Sequence, residues 1–301
     1  MKRYSTLLVI AAVALAACGS DNAPSPTEGP LVVVTTSILG DVVTQLVGDA
    51  GRVETLMGPG VDPHEFLPSA RQATLLHQAD LVVANGLGLE EGMVDVLGAA
   101  RADGVTVLEV APNVDPIPFS VGEEKGSPDP HFWFDPTRMA GAGDLIAASL
   151  EKVDPTGDWS GAASRLHTDM LDLDEEVGQI VAPIPSDRRK LVTNHDALGY
   201  FAARYDFQII ASVIPAASTL AEPSAADLAG LVDTLRQEHV TTIFAETGAP
   251  DTLARAVASE LGSSVTVRSL YTGSLGEPGS GAETYAGMIR TDARTIADAL
   301  G

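Results

Sequence analysis

Short apolar runs rich in β-branched residues recur along this chain, separated by helical stretches, and that alternation restricts the fold more than any other feature. Leu31–Thr35, Val53–Met57, Leu81–Ala84 and Thr106–Val110 read as buried strands. Helical patterns fill the gaps at about Ile38–Leu46, Ala70–Gln78 and Glu90–Arg101, and Ser69 with Gln72 makes a capping box ahead of the second. After Asp135-Pro136 the texture becomes Ala- and Gly-rich to about Leu150, and no element is assigned there. A longer helix follows: Leu166, Met170, Leu173, Val177 and Ile180 recur at spacings of four and three and form one apolar stripe. Strand-like runs then resume at Lys190–Thr193, Gln208–Val213, Thr241–Ala245 and Val265–Leu270. The helices between and after them fall at about Ala197–Tyr205, Ala225–Gln237, Thr252–Leu261 and Tyr285–Leu300, with Ser224 and Asp227 marking one start.

Strand–helix alternation on both sides of one long helix predicts the α/β class, with two lobes built on parallel sheets. The expected division is residues 31–155 for the first lobe, 156–182 for the linking helix and 183–301 for the second lobe. The lobe starts echo each other, Thr35-Thr36-Ser37-Ile38-Leu39-Gly40 against Thr193-Asn194-His195-Asp196-Ala197-Leu198-Gly199, which is weak support for similar βα units. In such sheets ligands sit beyond the carboxyl ends of the strands, so the interlobe cleft is the expected site. The 301 residues are enough for two medium domains.

The start of the chain reads as an address. Lys2-Arg3 precedes the apolar run Leu7–Ala17, too short to span a bilayer as a stable helix, so residues 1–17 fit a secretory signal. The run closes Leu15-Ala16-Ala17-Cys18, which resembles the bacterial lipobox and implies lipidation of Cys18. The polar, Pro-rich stretch 18–30 then reads as a flexible tether to an extracytoplasmic domain held at the outer face of a membrane. The formal charge is −23, and without Lys2 and Arg3 there remain 16 basic against 41 acidic residues. Such a chain has no general attraction for phosphate backbones, which argues against nucleic acid as a partner. The single cysteine excludes an intrachain disulfide and a Cys-based zinc knuckle.

Six histidines carry the chemistry that can be read. His64 lies in Gly60-Val61-Asp62-Pro63-His64-Glu65-Phe66-Leu67-Pro68, and His131 in Ser127-Pro128-Asp129-Pro130-His131-Phe132-Trp133-Phe134-Asp135-Pro136. Each follows Asp-Pro. Proline fixes its own φ and biases the preceding residue toward extended backbone, so each loop is stiff and holds one imidazole in place. Rigid placement is what a metal ligand needs. His195 follows the strand Lys190–Thr193 at the mouth of a βα unit. Together the three predict a metal site. His77 on a helix edge, His167 beside the apolar stripe and His239 before a strand read as solvent-facing or capping residues.

The two Asp-Pro-His loops, Asn194-His195-Asp196-Ala197-Leu198-Gly199-Tyr200-Phe201, and the tail Leu270-Tyr271-Thr272-Gly273-Ser274-Leu275-Gly276 with Tyr285 and Met288 resemble the substrate-binding lipoproteins of zinc and manganese ABC importers. The resemblance covers about residues 31 to 300. It implies two Rossmann-like lobes joined by one long rigid helix near Asp158–Val181, and one divalent ion in the cleft on His64, His131 and His195. It also implies a permease as partner, a monomer, and binding in place of catalysis. Many members carry an acidic ligand where this chain has Gly273, and some a glutamate where it has Pro63. The fourth bond is then expected from Glu246, which ends the strand Thr241–Ala245 and could instead accept from a ligand, or from a water or hydroxide. Glu65 and Glu222 are lesser candidates. Three imidazoles suit Zn²⁺, while Mn²⁺ prefers more oxygen. In the resembling family a histidine at the position of His195 goes with zinc, so Zn²⁺ is expected. The stretch Ser120–Asp129 holds no histidine, so no metal-scavenging loop is expected.

Two other roles compete with binding and delivery. A three-histidine zinc hydrolase is chemically feasible, yet no His-Glu-x-x-His run and no cluster for a second metal is visible. An attachment role finds no long exposed aromatic stretch, since aromatics are 5% of the chain.

Overall fold

The computed structural model describes residues 29–216 and 218–301. The signal segment, Cys18 and the tether up to residue 28 therefore lie outside the described residues. Each half of the chain builds one four-stranded, all-parallel sheet. In the first, β1 (Leu31–Val34), β2 (Arg52–Thr55), β3 (Leu81–Ala84) and β4 (Thr106–Glu109) stand in the order β2-β1-β3-β4. In the second, β5 (Lys190–Thr193), β6 (Gln208–Ser212), β7 (Thr242–Glu246) and β8 (Thr266–Leu270) repeat it as β6-β5-β7-β8. The echo between the two lobe starts thus falls on equivalent strand ends, Thr35 after β1 and Thr193 at the end of β5. Inner strands carry continuous apolar runs because helices cover both faces of a parallel sheet. Val32, Val33, Val34 and Leu81 to Ala84 are fully buried, whereas the edge strands expose Arg52, Glu54 and Thr106.

The connecting helices are α1 (Ser37–Val47), α2 (Ala70–Gln78), α3 (Val94–Ala102) and α4 (Pro136–Val153). They are followed by α5 (Trp159–Val181), α6 (Gly199–Tyr205), α7 (Ala225–Gln237), α8 (Thr252–Leu261) and α9 (Tyr285–Leu300). Ser69 and Ser224 both form capping boxes, with Gln72 and Asp227. The long helix α5 is capped by Asp158, and its 23 residues reach about 34 Å. Leu166, Met170, Leu173 and Val177 are buried as the stripe requires, Ile180 is half-buried against the same core, and the buried Val181 closes the last turn. One hydrophobic core contains α5 together with the inner faces of both sheets and residues of α1, α4, α6 and α9. Two smaller clusters lie under α2 and α3 in the first lobe and under α7 and α8 in the second.

Two departures from the sequence reading have physical causes. The Ala- and Gly-rich stretch after Asp135 is a full helix, α4. Asp135 accepts from the backbone N–H of Thr137, Pro136 opens the first turn, and small residues let α4 approach α5 closely. A Cβ on Gly143 would stand 2.6 Å from Leu166 Cδ2. The expected helix from Glu90 starts instead at Val94, after a 3₁₀ turn over Glu91–Met93. Glu90 is buried in the preceding loop, where its carboxylate accepts from the Thr35 hydroxyl and from the N–H groups of Asn85 and Gly86. Among the described residues no helix is long and apolar enough to cross a membrane.

Candidate metal centre

His64, His131 and His195 meet in the cleft. One nitrogen of each ring lies within 4.8 Å of one nitrogen of each of the others, and all three side chains are buried. The ring centroids are 5.3 to 5.8 Å apart. All three residues follow the carboxyl ends of strands, as the α/β rule expects. His64 lies in the loop after β2, His131 in the loop after β4, and His195 two residues past β5. The Asp-Pro-His loops are built alike. Asp62 Oδ1 accepts the backbone N–H of His64 at 2.9 Å, and Asp129 Oδ1 accepts that of His131 at 2.8 Å. Asp129 Oδ1 also lies 2.8 Å from Nδ1 of its own histidine ring.

Both loops are tied across the cleft. The Thr219 hydroxyl donates to Asp62 Oδ2, and the Tyr200 hydroxyl donates to the Asp129 carbonyl. Gly60 N–H donates to the Ser274 hydroxyl, and Trp133 Nε1–H to the Thr272 carbonyl. Behind His131, the Asn85 amide donates to the Pro130 carbonyl, and Glu90 in turn holds the Asn85 backbone.

Glu246, the last residue of β7, stands beside the histidines with Oε2 3.4 Å from Nδ1 of His195. Gly273 is buried next to it, and a Cβ there would lie 3.1 Å from both Glu246 Oε1 and Pro63 Cδ. The carboxylate of Glu246 therefore fills much of the room that a larger residue at 273 would use. Glu65 and Glu222 are exposed and are not brought into the site. His77 and His167 sit at the surface, each 3.0 Å from a carboxylate, Asp103 and Asp144. His239 lies between α7 and β7 with φ of 55°. Sequence reasoning missed Asp62, Asp129 and Glu91. The aspartates were visible as the residue two before each histidine, a spacing at which a carboxylate can accept the later N–H. Nothing in the sequence around Glu91 marks it, though its Oε1 lies 3.5 Å from Nδ1 of His64.

The site is strongly disposed toward a cation. Both ring nitrogens of His64 and Nε2 of His131 are buried without a hydrogen-bond partner, which is costly unless something else occupies them. Burial, with His195 and His131 nearby, pushes His64 down to about 2, and burial with His195 lowers His131 well below its usual value. Burial also works against a charge on His195, but Glu246, Asp62 and Asp196 outweigh it and raise this ring. Burial would raise Glu246, and His195 overcomes it and lowers the carboxyl. Nδ1 of His195 and Oε2 of Glu246 are likewise buried without a hydrogen-bond partner, so the centre offers a cation three imidazoles with a carboxylate behind one of them.

Two parallel-sheet lobes with three buried histidines converging between them define a substrate-binding protein whose substrate is a metal ion. Residues 32–299 match the family described as zinc-uptake complex component A, periplasmic. The chain belongs to this family, whose role in ABC transport is binding and not catalysis. It is 34% identical to the manganese-binding lipoprotein MntA of Bacillus subtilis, over 97% of each chain. It is 31% identical to the zinc-binding protein TroA of Treponema pallidum, over 94% of this chain and 92% of that one. The solved periplasmic TroA superposes with a TM-score of 0.80, covering 91% of this chain and 99% of its own. A manganese-bound periplasmic metal-binding protein from Candidatus Liberibacter asiaticus gives 0.80 at 25% identity, over 90% of this chain and all of the other.

Proposed function

We propose that this protein binds one Zn²⁺ ion on His64, His131 and His195, and delivers it to the permease of an ABC importer at the outer face of the membrane. The observation that carries this reading is the convergence of three buried imidazoles, with ring nitrogens within 4.8 Å of one another, in the cleft between the lobes. The relatives' names divide between manganese and zinc, so the choice of metal rests on the donors. Three nitrogen donors with no carboxylate among the converging atoms suit zinc, and manganese favours oxygen. Glu246 faces Nδ1 of His195, the position of an acceptor behind a ligand, and a solvent molecule takes the fourth bond. Lipidation of Cys18, a tether over residues 18–30 and a monomeric state complete the proposal. A lipid-anchored monomer reaches a permease in the same membrane without dissociating from the surface.

Competition against a chromophoric chelator tests the metal reading. Wild-type protein should take up one zinc per chain, and His64→Ala, His131→Ala and His195→Ala should each weaken binding by orders of magnitude. Unchanged affinity in all three variants contradicts it. Labelling with radioactive palmitate in a bacterial host, lost in Cys18→Ala, tests the anchor.

A further inference from the structure

We propose that Glu91 is a positioning residue of the metal site: its carboxylate accepts the Nδ1 proton of His64 and so directs Nε2 of that ring to the ion. This rests on the three-histidine reading above. The other two rings show the same arrangement. Asp129 Oδ1 stands 2.8 Å from Nδ1 of His131, and Glu246 Oε2 stands 3.4 Å from Nδ1 of His195. With Glu91 Oε1 3.5 Å from Nδ1 of His64, each imidazole has one carboxylate oxygen behind the same ring atom. An ionised carboxylate accepts and does not donate, so once a dication favours the ionised carboxylates, a ring facing one carries its proton on Nδ1 and presents its lone pair on Nε2. Imidazoles that bind metals are generally held in this way, and the partner fixes both tautomer and orientation.

The three carboxylates come from unrelated places. Asp129 precedes its own histidine by two residues, Glu246 ends β7, and Glu91 belongs to the 3₁₀ turn ahead of α3. A coincidence of local sequence does not produce that pattern three times. The two Asp-Pro-His loops also divide the work differently. Asp129 holds both the backbone and the ring of His131. Asp62 holds only the backbone of His64, because its other oxygen is committed to Thr219 across the cleft. The ring of His64 is thereby left to Glu91. Glu91 is also the exposed member, with 42% of its side chain accessible against 0% for Asp129 and 6% for Glu246. At 3.5 Å the contact exceeds ordinary hydrogen-bond length. A half-exposed glutamate has the rotamer freedom to shorten it when the ring engages an ion. His64 is thus the ligand with the loosest support, its ring buried but its carboxylate partner half exposed.

The test compares wild type, Glu91→Ala and Glu91→Gln by zinc competition titration and by ring ¹⁵N spectra of histidine-labelled protein. Glu91→Ala should weaken zinc binding by about 10- to 100-fold. Glu91→Gln should recover part of the loss, because its amide oxygen still accepts although the charge is gone. In the metal-free protein the His64 ring should carry its proton on Nδ1, and Glu91→Ala should shift it to a mixture of tautomers while His131 stays unchanged. The unfolding midpoint of the metal-free protein should not move, since Glu91 is exposed. Wild-type affinity in Glu91→Ala, or an unshifted His64 ring in that variant, overturns the proposal. A wild-type protein that binds no zinc overturns the parent reading instead, so the two failures are distinguishable.

Discussion

At the scale of single residues, metal binding should be coupled to the release of protons. Burial lowers His64 and His131, whereas at His195 burial is outweighed by Glu246, Asp62 and Asp196 and the ring is raised, which makes it the one of the three most disposed to carry a proton that a metal must displace. Burial also raises Asp129 to about 8 and Asp196 to about 7, and an arriving dication favours their ionised forms. The sign follows: metal competes with protons, so affinity falls as pH falls through the raised value of His195. Calorimetry in two buffers of different ionisation enthalpy should show protons released on zinc binding, and a heat independent of buffer contradicts this. Gly273 should favour zinc by what it lacks, an oxygen donor. Gly273→Asp would add an oxygen donor beside the imidazoles and should lower the ratio of zinc to manganese affinity. Its Cβ must displace the Pro63 ring and Glu246 slightly, both at 3.1 Å. An unchanged or raised ratio contradicts the role assigned to that glycine.

At the scale of elements, close approach of α4 to α5 depends on small residues. Gly143→Val would push a branched side chain into the buried Leu166, whose Cδ2 stands 2.6 Å from the added Cβ position. The variant should lose about 1–3 kcal/mol in chemical denaturation of the metal-free protein, the usual range for overpacking, with zinc affinity preserved because α4 carries no ligand. The same small residues explain why α4 is hard to read from the sequence: Met139, Ile146 and Leu150 do line one buried face, but Ala and Gly between them dilute the pattern, and glycine has poor helix propensity. The inner strands β1 and β3 are legible because both of their faces are buried and the run is apolar throughout. The α5 stripe is legible for the same reason at helical spacing, up to its last turn. In the site, the stiffness that proline gives the two Asp-Pro-His loops is written in the sequence and marks His64 and His131. Glu91 and Thr219 carry no such mark, because their roles depend on a fold that brings distant loops together.

At the scale of the whole molecule, one core runs through both lobes around α5, and the cleft loops are cross-tied by Asp62–Thr219, Tyr200–Asp129, Trp133–Thr272 and Ser274–Gly60. A hinge would have to break packed apolar surface as well as these bonds. Uptake and release of the ion should therefore involve loop movement more than lobe rotation. Small-angle scattering of the metal-free and zinc-loaded protein should give nearly the same radius of gyration, whereas a rotation of tens of degrees contradicts the shared core as the determinant of closure. Three imidazoles far apart in the chain are expected to bind one zinc ion between the lobes. Anomalous difference maps from crystals of the zinc-loaded protein, measured on both sides of the zinc absorption edge, test it most directly. A single zinc peak is expected about 2.0–2.1 Å from a ring nitrogen of each of His64, His131 and His195. A peak on any other set of residues, or none in the cleft, contradicts it.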